Sequence, residues 1–335
     1  NQTTGNRKQF VDIIENVDMP MILKVLVPSA TSVTIPFASG GTFNGSIDWG
    51  DGVSTTFLTY NAAGCTHTYT LAGTYYILIY GAFPKFTVAA ATFKSYLKDI
   101  LQFGTNSFTE LNFNGCNLLT IVTAIDTPRF AASANCQRML QDCTLITSFN
   151  NLENWDITLT VNWRSGMRNI NFLPDLSKWN FLNTTTLEEF FWLSDFLGDP
   201  QMPVAPAVTN LKSFGEDAKF NGPIAHLITS TVTSIANLVR GNVNFNQTMS
   251  TANTVNVTLF NNAFQNATKF NDNLATWDIK KATTMVDFGK GCTLWTAANW
   301  NLTLIGWNAL VNPPLNIVIT VKPVATGAGL VANSQ

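Results

Sequence analysis

Charged residues are scarce in this chain. Of 335 residues, 19 are Lys or Arg and 21 are Asp or Glu, so the charged fraction is 12% and the net charge is -2. This fraction is about half of what soluble proteins usually carry. Because there is no basic excess to neutralise phosphates, we expect no nucleic-acid partner. The apolar content of 46%, with 24 Phe, excludes a disordered chain.

Long apolar runs and familiar catalytic motifs are also missing. The charge-free stretches 25–47 and 241–268 are interrupted by Gly, Asn and Thr, whereas a bilayer span needs about 20 mainly apolar residues. No HExxH, GxSxG or Walker-type phosphate loop occurs. The five Cys form no CxxC pair, and His67 and His226 stand far apart. We therefore expect no membrane span, metal or cofactor.

The middle of the chain repeats with a period of about two dozen residues. The intervals between successive aromatic residues of the series run from 23 to 25 residues, a spacing typical of leucine-rich-type solenoid repeats. One repeat of this size cannot bury its own apolar face, but stacked repeats cover one another. The predicted repeat ladder consists of Phe149, Phe172, Phe196, Phe220, Phe245, Phe270 and Trp295.

Charge placement provides a second test of the repeat register. Glu188 lies 24 residues before Lys212, and Asp195 lies 24 residues before Lys219. In a stack, each pair should meet on adjacent repeats with opposite signs, a stabilisation of about 0.2 to 1 kcal/mol. The 37 Asn residues have a related use, since side-chain amides satisfy turn backbone and stack between repeats.

The N-terminal part has a different pattern. The segments 22–27, 32–37 and 75–80 alternate or are rich in β-branched and aromatic residues, which predicts strands. Between the strands lie the sequences WGDG at 49–52 and HTY at 67–69, followed by AGTYY. These motifs resemble the signature of PKD-type, immunoglobulin-like β-sandwich domains of surface proteins.

The repeats carry a resemblance of their own. Phe270-Asn271 followed by Trp277-Asp278, and the similar stretch 149–156, are similar to the BspA-like leucine-rich repeat surface proteins. Several repeats depart from that pattern, because Pro203, Leu227 and Ala252 stand where Trp is expected. The resemblance implies a mainly β protein, with an immunoglobulin-like sandwich followed by a leucine-rich-repeat-type solenoid. It further implies a non-catalytic surface or adhesion protein.

These observations predict four segments. Residues 1–20 form an arm, 21–90 a β-sandwich, 91–312 the solenoid with an aromatic C-terminal cap, and 313–335 a final strand and tail. The arm contains four apolar residues at helical spacing, Phe10, Ile13, Ile14 and Val17, which predicts a short amphipathic helix that needs a partner surface. We expect the tails to dock on neighbouring copies; the alternative is that they fold back on their own chain.

Three functional hypotheses follow. The first is a non-enzymatic structural or adhesion protein on a cell surface or virion, part of a homo-oligomer or larger assembly. The second is a monomeric adhesin that binds host glycan or protein through the solenoid face, with Trp163, Trp179 and Trp192 as candidate contacts. The third and weakest is a polysaccharide-acting enzyme, because two positioned acids suffice for that chemistry. Its candidate acids are Asp175, Glu188, Glu189, Asp195, Asp199, Glu216 and Asp217.

Overall fold

The structure, a computed structural model, describes residues 18–88, 92–313 and 319–321, and it is mainly β. The first strands are β1 (Met21–Val27), β2 (Thr31–Thr34), β3 (Asn44–Asp48), β4 (Ser54–Phe57), β5 (Thr66–Tyr69), β6 (Gly73–Ala82) and β7 (Lys85–Thr87). They are followed by β8 (Leu97–Gln102), β9 (Ser107–Asn112), β10 (Ile121–Val122), β11 (Arg129–Asn135), β12 (Ser148–Phe149), β13 (Thr160–Asn162), β14 (Met285–Gly289) and β15 (Ile319–Val321).

Helical structure is sparse in the described residues. They contain one α-helix, α1 (Ala297–Asn308), near the end of the repeats. Four short 3-10 helices lie at Ala63–Cys65, Thr92–Ser95, Leu152–Asn154 and Ala225–Leu227. No helix in the described parts of the chain has the length and apolar character needed to span a membrane.

The N-terminal strands form two sheets. The larger sheet has the order β4-β3-β6-β1-β8, and the smaller one pairs β2 with β5. In β1, Met21, Leu23 and Val25 face the core while the residues between them are partly exposed, as period-two alternation predicts. All pairings within these two sheets are antiparallel.

A parallel ladder runs through the rest of the chain. It begins with the four strands β7, β9, β11 and β13, which pair side by side in parallel. It continues as single-residue parallel bridges, 24 or 25 residues apart, and ends where β14 pairs with β15. The bridges are Asn162–Thr186, Thr186–Asn210, Asn210–Ser234, Ser234–Leu259 and Leu259–Thr284. Successive repeats therefore lie side by side with the same strand direction.

Two strands pair with the part of the molecule on the other side of the predicted boundary at residue 90. Strand β8, from the predicted solenoid segment, is an edge strand of the N-terminal sheet through its pairing with β1. Strand β7, from the predicted sandwich, is instead the first strand of the parallel ladder. The buried apolar residues of both parts form one continuous core. Each predicted segment therefore contributes one strand to the sheet of the other.

In the predicted ladder, five of the six successive pairs of aromatic residues are in ring contact. The ring centroids of Phe196 and Phe220 are 6.2 Å apart, those of Phe220 and Phe245 are 6.2 Å apart, and those of Phe245 and Phe270 are 6.1 Å apart. At the two ends of the series, Phe149 lies 6.4 Å from Phe172 and Phe270 lies 5.1 Å from Trp295. Such spacings are typical of favourable aromatic pairs.

Tryptophans and α1 cover the last repeat. The ring of Trp300 lies 5.1 Å from that of Trp295 and 5.8 Å from that of Trp307. Thr296 begins the helix by accepting a hydrogen bond from the N–H of Asn299 on its side-chain oxygen, as N-cap residues do. Strand β15 lies within the segment 313–335, for which a final strand and tail are predicted.

Candidate interaction surface

Each repeat turns at two residues in the left-handed backbone region, which is uncommon for residues other than Gly, Asn and Asp. The first column, with φ between 54° and 61°, comprises Arg138, Ser165, Glu189, Ser213, Asn237, Asn262 and Asp287. The second column, with φ between 52° and 82°, comprises Asp142, Asn169, Leu193, Asp217, Gly241, Asn266 and Gly291. These turns aim backbone N–H groups at the next repeat: that of Ser213, for example, donates to the carbonyl of Ala236 at 2.8 Å.

Charged side chains gather beside these turns. We call this set the charged strip: Arg164, Arg168, Glu188, Glu189, Lys212, Glu216 and Arg240. Glu188 lies between Arg164 and Lys212, with nitrogen–oxygen distances of 3.8 Å and 3.5 Å. Glu216 is buried and accepts a hydrogen bond from Arg240. The charges therefore alternate along the stack and pair between adjacent repeats.

Both sequence-predicted ion pairs are formed. Lys212 Nζ lies 3.5 Å from Glu188 Oε1, and Lys219 contacts Asp195 through a second ion pair. The side chains of Lys219 and Asp195 are about half exposed, so solvent screening keeps the contribution of that pair small. Because the partners are one repeat apart, these contacts agree with the predicted register of the repeats. All four residues are in ion pairs.

Glu189 has three side-chain partners in the preceding repeat. It accepts hydrogen bonds from Arg164 Nη2 at 3.2 Å and from the Ser165 hydroxyl at 2.7 Å, and Arg168 lies 3.9 Å away. Burial alone would raise the pKa of Glu189. The hydrogen bonds from Ser165 and Arg164, together with the nearby positive charges, outweigh burial and hold the pKa below its ordinary value.

We expect Glu189→Gln to lower the free energy of unfolding by about 1 kcal/mol at neutral pH. Since the folded-state pKa lies below the unfolded value of about 4.3, the ionised carboxylate stabilises the fold above that pH. This contribution is lost as the pH falls through the folded-state pKa. Urea unfolding of both proteins at several pH values should thus show the difference shrinking in acid.

The control for this measurement is Glu153→Gln. Glu153 has one long ion pair with Lys178, at 4.0 Å, and a hydrogen bond from the neighbouring Asn154 side chain at 2.8 Å, and its side chain is more exposed. We expect its substitution to change stability by less than about 0.5 kcal/mol at any pH. A Glu189→Gln effect that grows on acidification would contradict the assignment.

The three candidate glycan-contact tryptophans lie in different environments. Trp163 and Trp179 are 0% and 3% exposed, so the expectation that they contact a glycan is wrong. Both rings pack in the core, 4.8 Å apart, and the Trp179 indole N–H donates to the carbonyl of Leu152. Burial gains more free energy from so large an apolar surface than exposure would. Trp192 is half-buried, with the Arg168 guanidinium 3.9 Å from its ring centre.

The candidate acids do not share a common environment. Glu188, Glu189, Asp195 and Glu216 are in ion pairs as described. Asp175 and Asp199 instead accept hydrogen bonds from the backbone N–H groups of Ser177 and Gln201, at 2.9 Å and 2.8 Å. Burial, with Glu216 nearby, raises the pKa of Asp217 above its ordinary value. Within residues 18–88 and 92–313, no three His, Cys, Asp or Glu side chains converge in a way that could hold a metal ion.

The N-terminal motif residues meet in one cluster. His67 Nε2 lies 2.6 Å from Asp51 Oδ2, and the His67 ring stacks on Trp49 with ring centroids 5.2 Å apart. The Tyr69 hydroxyl donates to the carbonyl of Trp49 at 2.7 Å. These contacts therefore attach the WGDG connection between β3 and β4 of the larger sheet to β5 of the smaller sheet. The arm residues Phe10, Ile13, Ile14 and Val17 lie outside the described residues.

A column of largely exposed threonines on the parallel ladder was not among the sequence-predicted site residues. Each hydroxyl donates to the carbonyl of the residue one repeat earlier, at 3.0 to 3.2 Å. This threonine column comprises Thr185, Thr209, Thr233, Thr258 and Thr283. The signal was available, since Thr recurs every 24 or 25 residues there. It presents an uncharged face of methyl groups and hydroxyl oxygens.

A family model described as "Mycoplasma protein of unknown function, DUF285" matches residues 91–201 and 204–306. The chain belongs to the DUF285 family. Neither a curated protein nor a solved structure matches the chain. The two DUF285 segments meet between residues 201 and 204, yet the ladder continues across this point through the bridge between Thr186 and Asn210. The charged strip likewise begins in the first DUF285 segment and ends in the second.

Proposed function

We propose that this DUF285 protein is a non-enzymatic structural or adhesion protein of a cell surface or virion. In this proposal it belongs to an extracellular or viral assembly and acts through the lateral surface of the stacked repeats. The observation that carries the proposal is the uninterrupted parallel ladder from β7 to β15. A stack in which every repeat bonds to the next is a rigid spacer with a long lateral surface.

The use of the charged groups supports a non-enzymatic role. The carboxylates of the charged strip are engaged by Arg, Lys or Ser side chains of the same or adjacent repeats. A glycosidase needs two carboxylates that face each other across a substrate-sized gap, one of them free to donate a proton. The threonine column adds a charge-free face, which favours packing against other macromolecules because few ions need desolvation.

We further propose the finer architecture implied by the family resemblance. The N-terminal sheets are a PKD-type, immunoglobulin-like sandwich, and the repeats are a leucine-rich-repeat-type solenoid of the BspA-like kind. Support for the first comes from the cluster of Trp49, His67 and Tyr69, in which the motif residues contact one another. Support for the second comes from the period of 24 or 25 residues between bridges.

Surface labelling tests the proposed location. Antibodies raised against the purified chain should label intact, unpermeabilised cells, or intact particles, of the source organism. Protease treatment of the intact cells or particles should remove the labelling. Labelling that requires permeabilisation would contradict surface display, and hydrolysis of a polysaccharide that is abolished by Glu188→Gln would favour the enzyme.

A second candidate, a monomeric adhesin that binds a glycan, is favoured by the half-buried Trp192. Its ring face attracts the Arg168 guanidinium, 3.9 Å from the ring centre, through a cation–π contact. A glycan array with the full chain should then show binding that Trp192→Ala abolishes. The matched control is Trp163→Phe, a change inside the core that should leave glycan binding intact.

A further inference from the structure

Two of the five cysteines occupy the same position in adjacent repeats. Cys116 directly follows Gly115, and Cys143 directly follows Asp142. The residues before the cysteines are both in the left-handed backbone region, with φ of 70° and 58°. The Gly115 N–H donates to the carbonyl of Gln141 at 2.7 Å, which holds the two turns side by side as neighbouring strands are held. The spacing of neighbouring strands, about 4.8 Å, lies inside the Cα range of disulfides, about 4.4 to 6.8 Å.

The Cys143 thiol reaches into the turn that contains Cys116. It donates to the carbonyl of Phe113 at 3.1 Å, and the same carbonyl accepts the backbone N–H of Cys116 at 3.2 Å. Both cysteine side chains are 0% exposed, and both thiols are free in this structure. Burial, together with the adjacent Cys143 thiol, raises the pKa of the Cys116 thiol well above its ordinary value. The two sulfur atoms are therefore neighbours inside the core.

The hydrogen bond of Cys143 does not itself require a cysteine. Ser194 stands at the equivalent position two repeats later, and its hydroxyl donates to the carbonyl of Met167 at 2.9 Å. This bond corresponds to the bond that Cys143 donates to Phe113. A hydroxyl is thus accommodated at this position of the stack, so Cys143→Ser is a conservative substitution.

Cys292 provides an internal comparison. Its thiol donates to the carbonyl of Phe264 at 2.9 Å, in the same way as Cys143 donates one repeat back. The position one repeat before Cys292 is occupied by Ala267, whereas the position one repeat before Cys143 is occupied by Cys116. The two thiols therefore have matching surroundings, and they differ in whether the adjacent repeat contributes a methyl group or a second sulfur.

We propose that Cys116 and Cys143 are a crosslinking site, at which a disulfide joins two adjacent repeats. The oxidant is a small-molecule disulfide, and the surface location of the proposed function, on which this inference rests, provides the oxidising conditions in which such bonds persist. One cysteine thiolate attacks a sulfur of the oxidant, forms a mixed disulfide and releases the first small thiol. The other thiolate attacks the protein sulfur of the mixed disulfide and releases the second small thiol. The protein loses two electrons and two protons, and the oxidant is reduced to two thiols.

This reaction takes place while the chain folds. In the folded chain both thiols are shielded from solvent, and the raised pKa of Cys116 leaves little thiolate for attack. In the unfolded chain the same thiols are accessible. Cys143 lies 27 residues after Cys116, and a closed loop of this length restricts the unfolded chain and so stabilises the fold. The Phe113 carbonyl loses the thiol donor on oxidation but keeps the N–H of Cys116.

Refolding of the full chain from urea tests the crosslink. One sample is refolded with oxidised and reduced glutathione, and the other with dithiothreitol. Free thiols are then alkylated in denaturant before digestion. Trypsin places Cys116 in peptide 99–129 and Cys143 in peptide 139–164, with Cys136 in a third peptide between them. We expect the first two peptides to be linked after refolding with glutathione, with loss of two hydrogen atoms. The crosslinked chain should unfold about 5 °C above the reduced chain.

Two variants control for the geometry. Cys143→Ser should fold, should give no linked peptide and should unfold at the same temperature after either refolding. Ala267→Cys places a second sulfur one repeat before Cys292, so this variant should gain a second crosslink under the same conditions. A wild-type chain that stays reduced with glutathione would overturn the proposal. A link from Cys116 to Cys136 would also overturn it, as would an Ala267→Cys variant without the added crosslink.

Protein from the source organism separates this inference from the proposed surface role. The protein is isolated in denaturant that contains an alkylating reagent, which preserves its redox state for peptide mapping. We expect the linked peptides in protein that antibodies label on intact cells or particles. Surface-labelled protein with both cysteines alkylated would overturn the crosslink and leave the surface role standing. Linked peptides in protein that labels only after permeabilisation would remove the surface role and keep the crosslink.

Discussion

Chains divided between residues 90 and 91 are expected not to fold as two independent parts. Fragment 1–90 lacks β8, which pairs with β1 at the edge of the N-terminal sheet. Fragment 91–335 lacks β7, whose Phe86 is 0% exposed and lies 5.6 Å from the ring of Phe113. Each fragment would expose both a strand edge and part of the shared core. We expect neither to show cooperative thermal unfolding, and we expect co-expression to restore it.

Trp49 provides a fluorescence signal for this experiment, because it is the one tryptophan in residues 1–90 and it is fully buried. Its fluorescence should be that of an exposed indole in fragment 1–90. Fragment 1–113 retains β8 and β9 with the same single tryptophan, and it is the matched control. We expect a more native-like emission from this longer fragment. Native emission and cooperative unfolding of fragment 1–90 would instead make residue 90 a true domain boundary.

Phe220→Ala is expected to reduce the free energy of unfolding by about 3 to 5 kcal/mol, because the cavity left in a packed stack cannot close fully. The Phe220 ring is fully buried and lies 5.7 Å from Phe191 and 6.1 Å from Phe214, in addition to its neighbours in the ladder. The approach to Gly215 is also close, since a Cβ there would lie 2.5 Å from the Phe220 ring. Urea unfolding monitored by circular dichroism measures the change.

Two control variants test whether the loss of stability comes from the cavity or from any substitution in this region. Phe220→Leu keeps most of the volume and should cost less than about 1.5 kcal/mol. Leu197→Ala, at a leucine that is 65% exposed in the adjacent repeat, should change stability by less than about 0.5 kcal/mol. Equal losses for Phe220→Ala and Leu197→Ala would mean that the aromatic column does not hold the stack together.

The sequence predicted the features that recur once per repeat. The spacing of the Phe series and the positions of Glu188 and Lys212, 24 residues apart, depend on one local rule applied many times. Parallel stacking of equal repeats brings residues one period apart into contact, so ion pairs between repeats could be named in advance. The pattern was less informative about Trp163 and Trp179, because an aromatic residue at a fixed period is compatible with either a core or a surface position.

The amino-acid sequence by itself determined a mainly β chain, a period of two dozen residues and the partners that meet between repeats. The tertiary structure alone decided that β7 joins the parallel ladder and that β8 joins the N-terminal sheet. The physical reason is range: periodicity records contacts between neighbouring repeats. The sheet that β7 or β8 joins depends instead on pairings between segments that share no period.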